Sequence, residues 1–179
     1  MVKKMDAGNI ISQEEVKIAP DETTGELYDR LSNVGAKLLI ETLPSIIGKT
    51  NDSIEQDENL VTYAPVISHE QEKIDFNQSA KQVYNHVRGL NPWPGAYTVY
   101  QDKVVKIWAG SIHNCQNATK HHGHQENGTI VKIFKDAIGV KTGDGIYLIT
   151  ELQIAGKKRM LVKDYLNGNN IFKVDTKFD

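Results

Sequence analysis

Asn91-Pro92-Trp93-Pro94-Gly95-Ala96 divides a helical run from a run of strands. Each proline locks its own φ and pushes the residue before it out of the helical region. The stretch therefore ends a helix predicted over Ser79–Leu90 and carries an extended, irregular path into a strand starting at Tyr97. Upstream, Ser79-Ala80-Lys81-Gln82 has the S-x-x-Q form of a capping box, and Val83, Tyr84, Val87 and Leu90 continue as one helical stripe. Downstream, Tyr97–Tyr100, Val104–Trp108, Thr129–Phe134, Ala137–Lys141 and Ile146–Ile154 are short and rich in β-branched and aromatic residues. Turn residues separate them, Gly143-Asp144-Gly145 most clearly. About five strands of ordinary length fit a small open barrel of the OB type. Leu161–Leu166 reads as a closing helix stopped by Asn167-Gly168.

The N-terminal part has a different pattern. Met5-Asp6-Ala7-Gly8 falls at the end of a strand that would begin at or before Met1, and Glu15–Ile18 alternates as a half-buried strand should. Pro20-Asp21-Glu22-Thr23-Thr24 supplies turn and N-cap chemistry, with acids where a helix dipole favours them. Leu27, Leu31, Val34 and Leu38 then mark one helical face, which Pro44 interrupts and Gly48 ends. These elements make a fragment of an α/β sheet whose apolar face needs partners that residues 1–50 do not supply. Asn51–Pro65 is acidic and aperiodic, and residues 51–70 read as a linker before a unit at 71–179. The fold class expected is α+β: a sheet remnant, a linker and a small barrel.

With 179 residues, 39% hydrophobic and 25% charged, the chain lies in the globular range. No window approaches the roughly eighteen apolar residues of a membrane span, and the basic start at Lys3-Lys4 lacks the apolar run of a secretory signal. One cysteine, Cys115, excludes an internal disulfide and fits a reducing compartment. The net charge of −2 conceals an asymmetry: residues 1–70 carry six Lys/Arg and thirteen Asp/Glu, and residues 71–179 carry fifteen and ten. A basic second half is a candidate for a polyanion such as RNA.

Val87-Arg88-Gly89-Leu90, the Asn91–Ala96 stretch and Val104-Val105-Lys106-Ile107-Trp108 together resemble the methionyl-tRNA formyltransferase family at the start of its C-terminal domain. Met5-Asp6-Ala7-Gly8-Asn9-Ile10-Ile11 is similar to the folate-binding loop of enzymes that use 10-formyltetrahydrofolate. Glu22–Leu31, Asp57–Pro65, Lys73–Phe76, Val140–Gly145 and Ala155–Met160 extend the likeness over nearly the whole chain. Asn9 departs from it, since many relatives carry an acid there.

The resemblance implies formyl transfer to the amino group of methionyl initiator tRNA, with 10-formyltetrahydrofolate as donor. It implies an Asn and a His that stabilise an oxyanion and an Asp that orients the His and assists proton transfer. Asp6 matches that aspartate, with Ala7 and Gly8 beside the cofactor. The family's Asn and His belong to an earlier segment, so the isolated chain is expected to be inert. A cytoplasmic or organellar location and a monomeric full-length enzyme are further implications. A stand-alone or degenerate RNA-binding module, and another 10-formyltetrahydrofolate enzyme acting on a sugar nucleotide or on folate, are the alternatives.

The resemblance also implies that the C-terminal domain turns a positive face to the tRNA. Lys157-Lys158-Arg159, Arg88 and Lys106 are the candidate phosphate contacts, with Lys103, Lys132, Lys135 and Lys141 scattered around them. Trp93 and Trp108 are expected in the core. His113, Cys115, His121, His122 and His124 have metal-ligand composition but not the spacing of a zinc site, so no metal is expected.

Overall fold

Residues 5–113, 124–168 and 170–179 are described by a computed structural model, in which the chain falls into two units, Met1–Val66 and Ile67–Asp179.

The first unit is built on one long helix, α1 (Thr24–Gly48). Its start is set locally. Thr23 Oγ1 accepts from Glu26 N at 3.3 Å, and Glu26 Oε2 accepts from Thr23 N at 2.8 Å, so two orphan amides are satisfied reciprocally. Pro44 does not interrupt the helix as expected; it sits inside, and the helix ends four residues later with Lys49 in the left-handed region. The helix continues through Pro44 although proline contributes no amide donor there. No residue of α1 is buried, and Leu31, Leu39, Ile40 and Ile47 are exposed.

Glu15–Ile18 is not a strand. Alternation specifies a strand only where a neighbour pairs with it, and here Lys17 O instead accepts from Arg30 Nη2 at 2.8 Å. Arg30 is held in turn by Glu22 at 2.7 Å. Met5 and Asp6 form a turn, and residues 1–4 of the other expected strand lie outside the described residues. The described part of this unit has a single isolated bridge, Ile10 to Ile54, with both N–H···O distances 2.8 Å. The Asn51–Pro65 stretch is extended around one 3-10 turn, Glu58–Leu60.

The second unit begins with a short helix, α2 (His69–Glu72), followed by α3 (Ala80–Gly89). The Ser79–Gln82 capping box forms as expected, and Val83 and Val87 are buried on its inner face. Among the described residues six strands follow: β1 (Tyr97–Tyr100), β2 (Lys103–Ile112), β3 (Ile130–Ile133), β4 (Ile138–Lys141), β5 (Ile146–Ile154) and β6 (Met160–Leu161). They form one antiparallel sheet in the order β1-β2-β5-β4-β3, with β6 added to β5. A final helix, α4 (Val162–Leu166), buries Val162.

Register shifts at Ile107–Gly110 in β2 and Ile130–Lys132 in β3 bend the sheet into a curled half-barrel. The last residues strap its two edge strands together. Ile130 N donates to Thr176 O at 2.8 Å beside β3, and Asp179 N donates to Val99 O at 2.9 Å beside β1. Phe178 enters the core at 1% exposure, with ring centroids 5.3 Å from Tyr100 and 5.6 Å from Phe172. At Gly110 an added Cβ would lie 2.3 Å from Tyr147 and 2.4 Å from Leu148 O, so only glycine permits β2 and β5 to approach there.

Asn91–Pro94 is a turn, and both its X–Pro peptide bonds are cis. Gly95 N donates to Leu90 O at 2.8 Å, and Asn91 Nδ2 donates to Trp108 O at 2.9 Å. Trp93, expected in the core, is 74% exposed. Asn91 ties the turn to Trp108, and a Cβ added at Gly95 would lie 2.9 Å from the Trp108 ring, so glycine lets the turn lie there.

Candidate functional site

The cationic loop that sequence reading singled out joins β5 to β6. Gly156 takes φ +76 at its corner, Lys157 N donates to Ile154 O at 2.9 Å, and Gln153 Nε2 donates to Lys157 O at 3.0 Å. These bonds fix the backbone that carries Lys157 and Lys158, both exposed.

Arg159 is differently placed. Its Nε and Nη2 each reach a Glu151 carboxylate oxygen at 2.7 Å, a bidentate pair across the β5–β6 turn. The Glu151 hydrogen bond raises the Arg159 pKa above its ordinary value. Its guanidinium carbon also lies 4.8 Å from the centroid of Trp108. Lys106 Nζ approaches the same ring at 5.7 Å and donates to Pro94 O at 2.8 Å. Trp108 is partly buried rather than a core residue, and its Nε1 donates to Gln153 Oε1 at 3.2 Å. Lys106, Trp108 and Arg159 thus form one cluster beside the loop, and Glu151 and Gln153 organise it. The polar positions of β5 that hold the loop escaped sequence reading. Their signal was there: Glu151 and Arg159 flank the Ala155-Gly156 turn in opposite charge.

Arg88 lies on α3, where its Nε donates to Asn85 Oδ1 at 2.9 Å. Lys132 Nζ sits 4.8 Å over Phe134, Lys141 Nζ donates to Asn127 at 3.1 Å, and Lys135 is exposed. Lys103, Lys157 and Lys158 border a hollow of about 420 Å³ whose lining includes Leu152, Ile154 and Tyr165.

In the first unit, Asp6 is exposed and takes φ 54 in its turn. The carbonyls of Asp6 and Gly8 both accept from Gln56 Nε2, at 3.0 and 2.5 Å, which pins the turn to the distant 51–65 stretch. Ala7 is exposed and Gly8 half-buried. Asn9 Nδ2 donates to Ser53 at 3.2 Å.

Of the histidine-rich loop, Cys115, His121 and His122 lie outside the described residues. His113 packs 5.7 Å from Phe134, and His124 is exposed. Among the described residues no group of three potential ligands is positioned for a metal, and no helix is long and apolar enough to cross a membrane.

Comparison with known proteins places the chain in a family. A methionyl-tRNA formyltransferase of Staphylococcus epidermidis is 47% identical over 169 residues, 94% of this chain. The chain spans 52% of that relative's length. HypX from Aquifex aeolicus in complex with tetrahydrofolic acid superposes with a TM-score of 0.65 at 16% identity, covering 93% of this chain and 28% of that one. An N-formyltransferase from Helicobacter canadensis, in complex with folinic acid and dTDP-3-aminofucose, superposes with a TM-score of 0.59 at 19% identity, covering 89% and 53%. The model of the formyl transferase C-terminal domain matches residues 66–170, and the chain belongs to that family.

Proposed function

We propose that this chain is the C-terminal portion of a methionyl-tRNA formyltransferase, which moves a formyl group from 10-formyltetrahydrofolate to the amino group of methionyl initiator tRNA. The observation that carries this is the 47% identity over 94% of the chain to an enzyme of that name. Residues 71–179 form an OB-like domain that holds the tRNA, residues 1–50 are the end of the catalytic domain, and 51–70 link them. The exposed apolar side chains of α1, among them Leu31, Leu39, Ile40 and Ile47, support the second assignment, because apolar surface stabilises a fold only once it is covered.

The bound folate supplies the one-carbon unit. The Asp6–Gly8 turn fits a place beside it: its carbonyls are held by Gln56, its side chains stay exposed, and it ends on glycine, where a flat ring approaches backbone without a side chain between. Asp6 orients a histidine supplied by the preceding part of the enzyme and assists removal of the ammonium proton. Lys157, Lys158, Lys106 and Arg88 face the tRNA backbone and position it without reading sequence.

Fusing this chain to the N-terminal half of the Staphylococcus epidermidis enzyme tests the reading. The expected result is formylation of methionyl-tRNA by the fusion, loss of turnover with Asp6→Asn, and none by the chain alone. A fusion that binds tRNA but remains active with Asp6→Asn would remove Asp6 from the site. Turnover by the isolated chain would overturn the division of labour.

A further inference from the structure

The hollow at the β5–β6 loop has a chemistry that phosphate contact alone does not require. Its floor is apolar: Leu152 and Ile154 are buried strand residues, and Met160 and Tyr165 stand at its sides. Tyr165 is held in place, with its ring 5.5 Å from Phe172 and its hydroxyl accepting from Ile171 N at 3.3 Å. Lys103 of β2 and Lys157 and Lys158 of the loop contribute three ammonium groups, and Asp164 of α4 contributes one carboxylate. The Arg159–Glu151 pair and the Gln153–Lys157 bond hold the loop in position beforehand. At about 420 Å³ the hollow is of small-ligand size.

A surface that only tracks a polyanion needs cations and no apolar floor. Here the cations surround a concave apolar floor with an aromatic side chain and a hydrogen-bond acceptor, which matches a ligand with a flat ring, amino or hydroxyl donors, and an attached anion. We propose that this hollow takes one unstacked nucleotide of the bound RNA. Its base lies against Tyr165 and Met160, its own phosphate meets Lys103, the neighbouring backbone phosphates meet Lys157 and Lys158, and Asp164 accepts from an exocyclic amine or ribose hydroxyl. The proposal rests on the reading of the second unit as an RNA-holding domain. A fatty-acid anion shares the charge and the apolar part, but it has no group for Asp164 to receive.

Amide-resolved NMR of the full chain, titrated separately with AMP, laurate and initiator tRNA, tests it alongside tRNA binding by Met160→Trp and Lys103→Ala. AMP and tRNA are expected to shift the same signals around Ile154, Lys158 and Tyr165. Met160→Trp, which fills the hollow from its side, should weaken tRNA binding about tenfold without changing the salt dependence. Lys103→Ala should lower the slope of log K against log salt by about 0.7. If Met160→Trp fails to fold, the wild-type shifts and Lys103→Ala decide alone. Normal, salt-dependent tRNA binding with no response at the hollow would overturn the nucleotide site and leave the RNA reading standing. AMP in the hollow without tRNA binding would overturn the RNA reading and assign the site to free nucleotides. Laurate shifting these signals in place of AMP would overturn the ligand class.

Discussion

Breaking the Arg159–Glu151 pair should change tRNA binding in a direction that a count of basic residues would not suggest. Lys157 and Lys158 are exposed, whereas both Arg159 donors toward Glu151 are already used, at 2.7 Å each. The pair is partly solvated, with side-chain exposures of 41% and 19%, so its own stabilisation is about 1 kcal/mol or less. Each phosphate neutralised adds about 0.9 to the salt slope on a duplex. Two lysines therefore contribute about 1.8 from this loop. Arg159→Ala should leave that contribution near 1.8, while Lys157→Ala or Lys158→Ala should reduce it to about 0.9. Glu151→Gln frees a third cation and should raise it to about 2.7. Over a fourfold rise in salt, one contact corresponds to about three- to fourfold in affinity, well within the reach of fluorescence anisotropy with labelled initiator tRNA. If Arg159→Ala flattened the slope as much as either lysine variant, or Glu151→Gln failed to steepen it, the assignment of Arg159 to positioning the loop would be wrong.

Gly110→Ala should destabilise the second unit by about 2–3 kcal/mol, because its Cβ would meet backbone Leu148 O at 2.4 Å; urea unfolding with an unchanged midpoint would contradict this. Tyr100→Phe should cost about 1–3 kcal/mol in the same measurement. The buried hydroxyl pairs with Thr176 Oγ1 at 2.8 Å and accepts from Lys173 N at 3.2 Å. Hydrogen bonds from the Asn77 backbone amide and the Gln78 side chain lower the Asp75 pKa from its ordinary 3.8. The carboxylate form is therefore favoured by folding, and its contribution is present above pH 3.8 and lost as pH falls through the lowered folded value. Asp75→Asn should flatten the loss of stability in that acid range, and an unchanged pH profile would show that the turn is not coupled to folding.

Features whose cause lies within a few residues were legible in the sequence. The Ser79–Gln82 cap is a three-residue device, the N-cap chemistry at Pro20–Thr24 precedes a helix that starts at Thr24, and β5 alternates clearly enough that Ile146–Ile154 is read end to end. The sequence pattern of β2 reaches only Trp108, because Ala109-Gly110-Ser111 carries no strand signal; the strand continues to Ile112 because β5 pairs with it around a bulge. Glu15–Ile18 shows the opposite case, alternation without a partner. α2 has no periodic signal in the sequence, since one helical turn has no room for one, although Ser68 N donates to Gln71 Oε1 at 2.8 Å. Trp93 departs from the expectation because a tryptophan between prolines is as well suited to a turn tip as to a core. In the candidate site, the lysines were legible as charge. Their separation from Arg159 depends on a partner eight residues away across a strand turn, and the Lys103 side of the hollow depends on the sheet itself.

The central claim, that this chain carries the RNA-holding half of a formyltransferase, is tested most directly by binding initiator tRNA to the intact chain across a range of salt. The account predicts measurable binding, with log K falling linearly against log salt at a slope of at least about 2. A chain that does not bind tRNA, or that binds it with no dependence on salt, would contradict it.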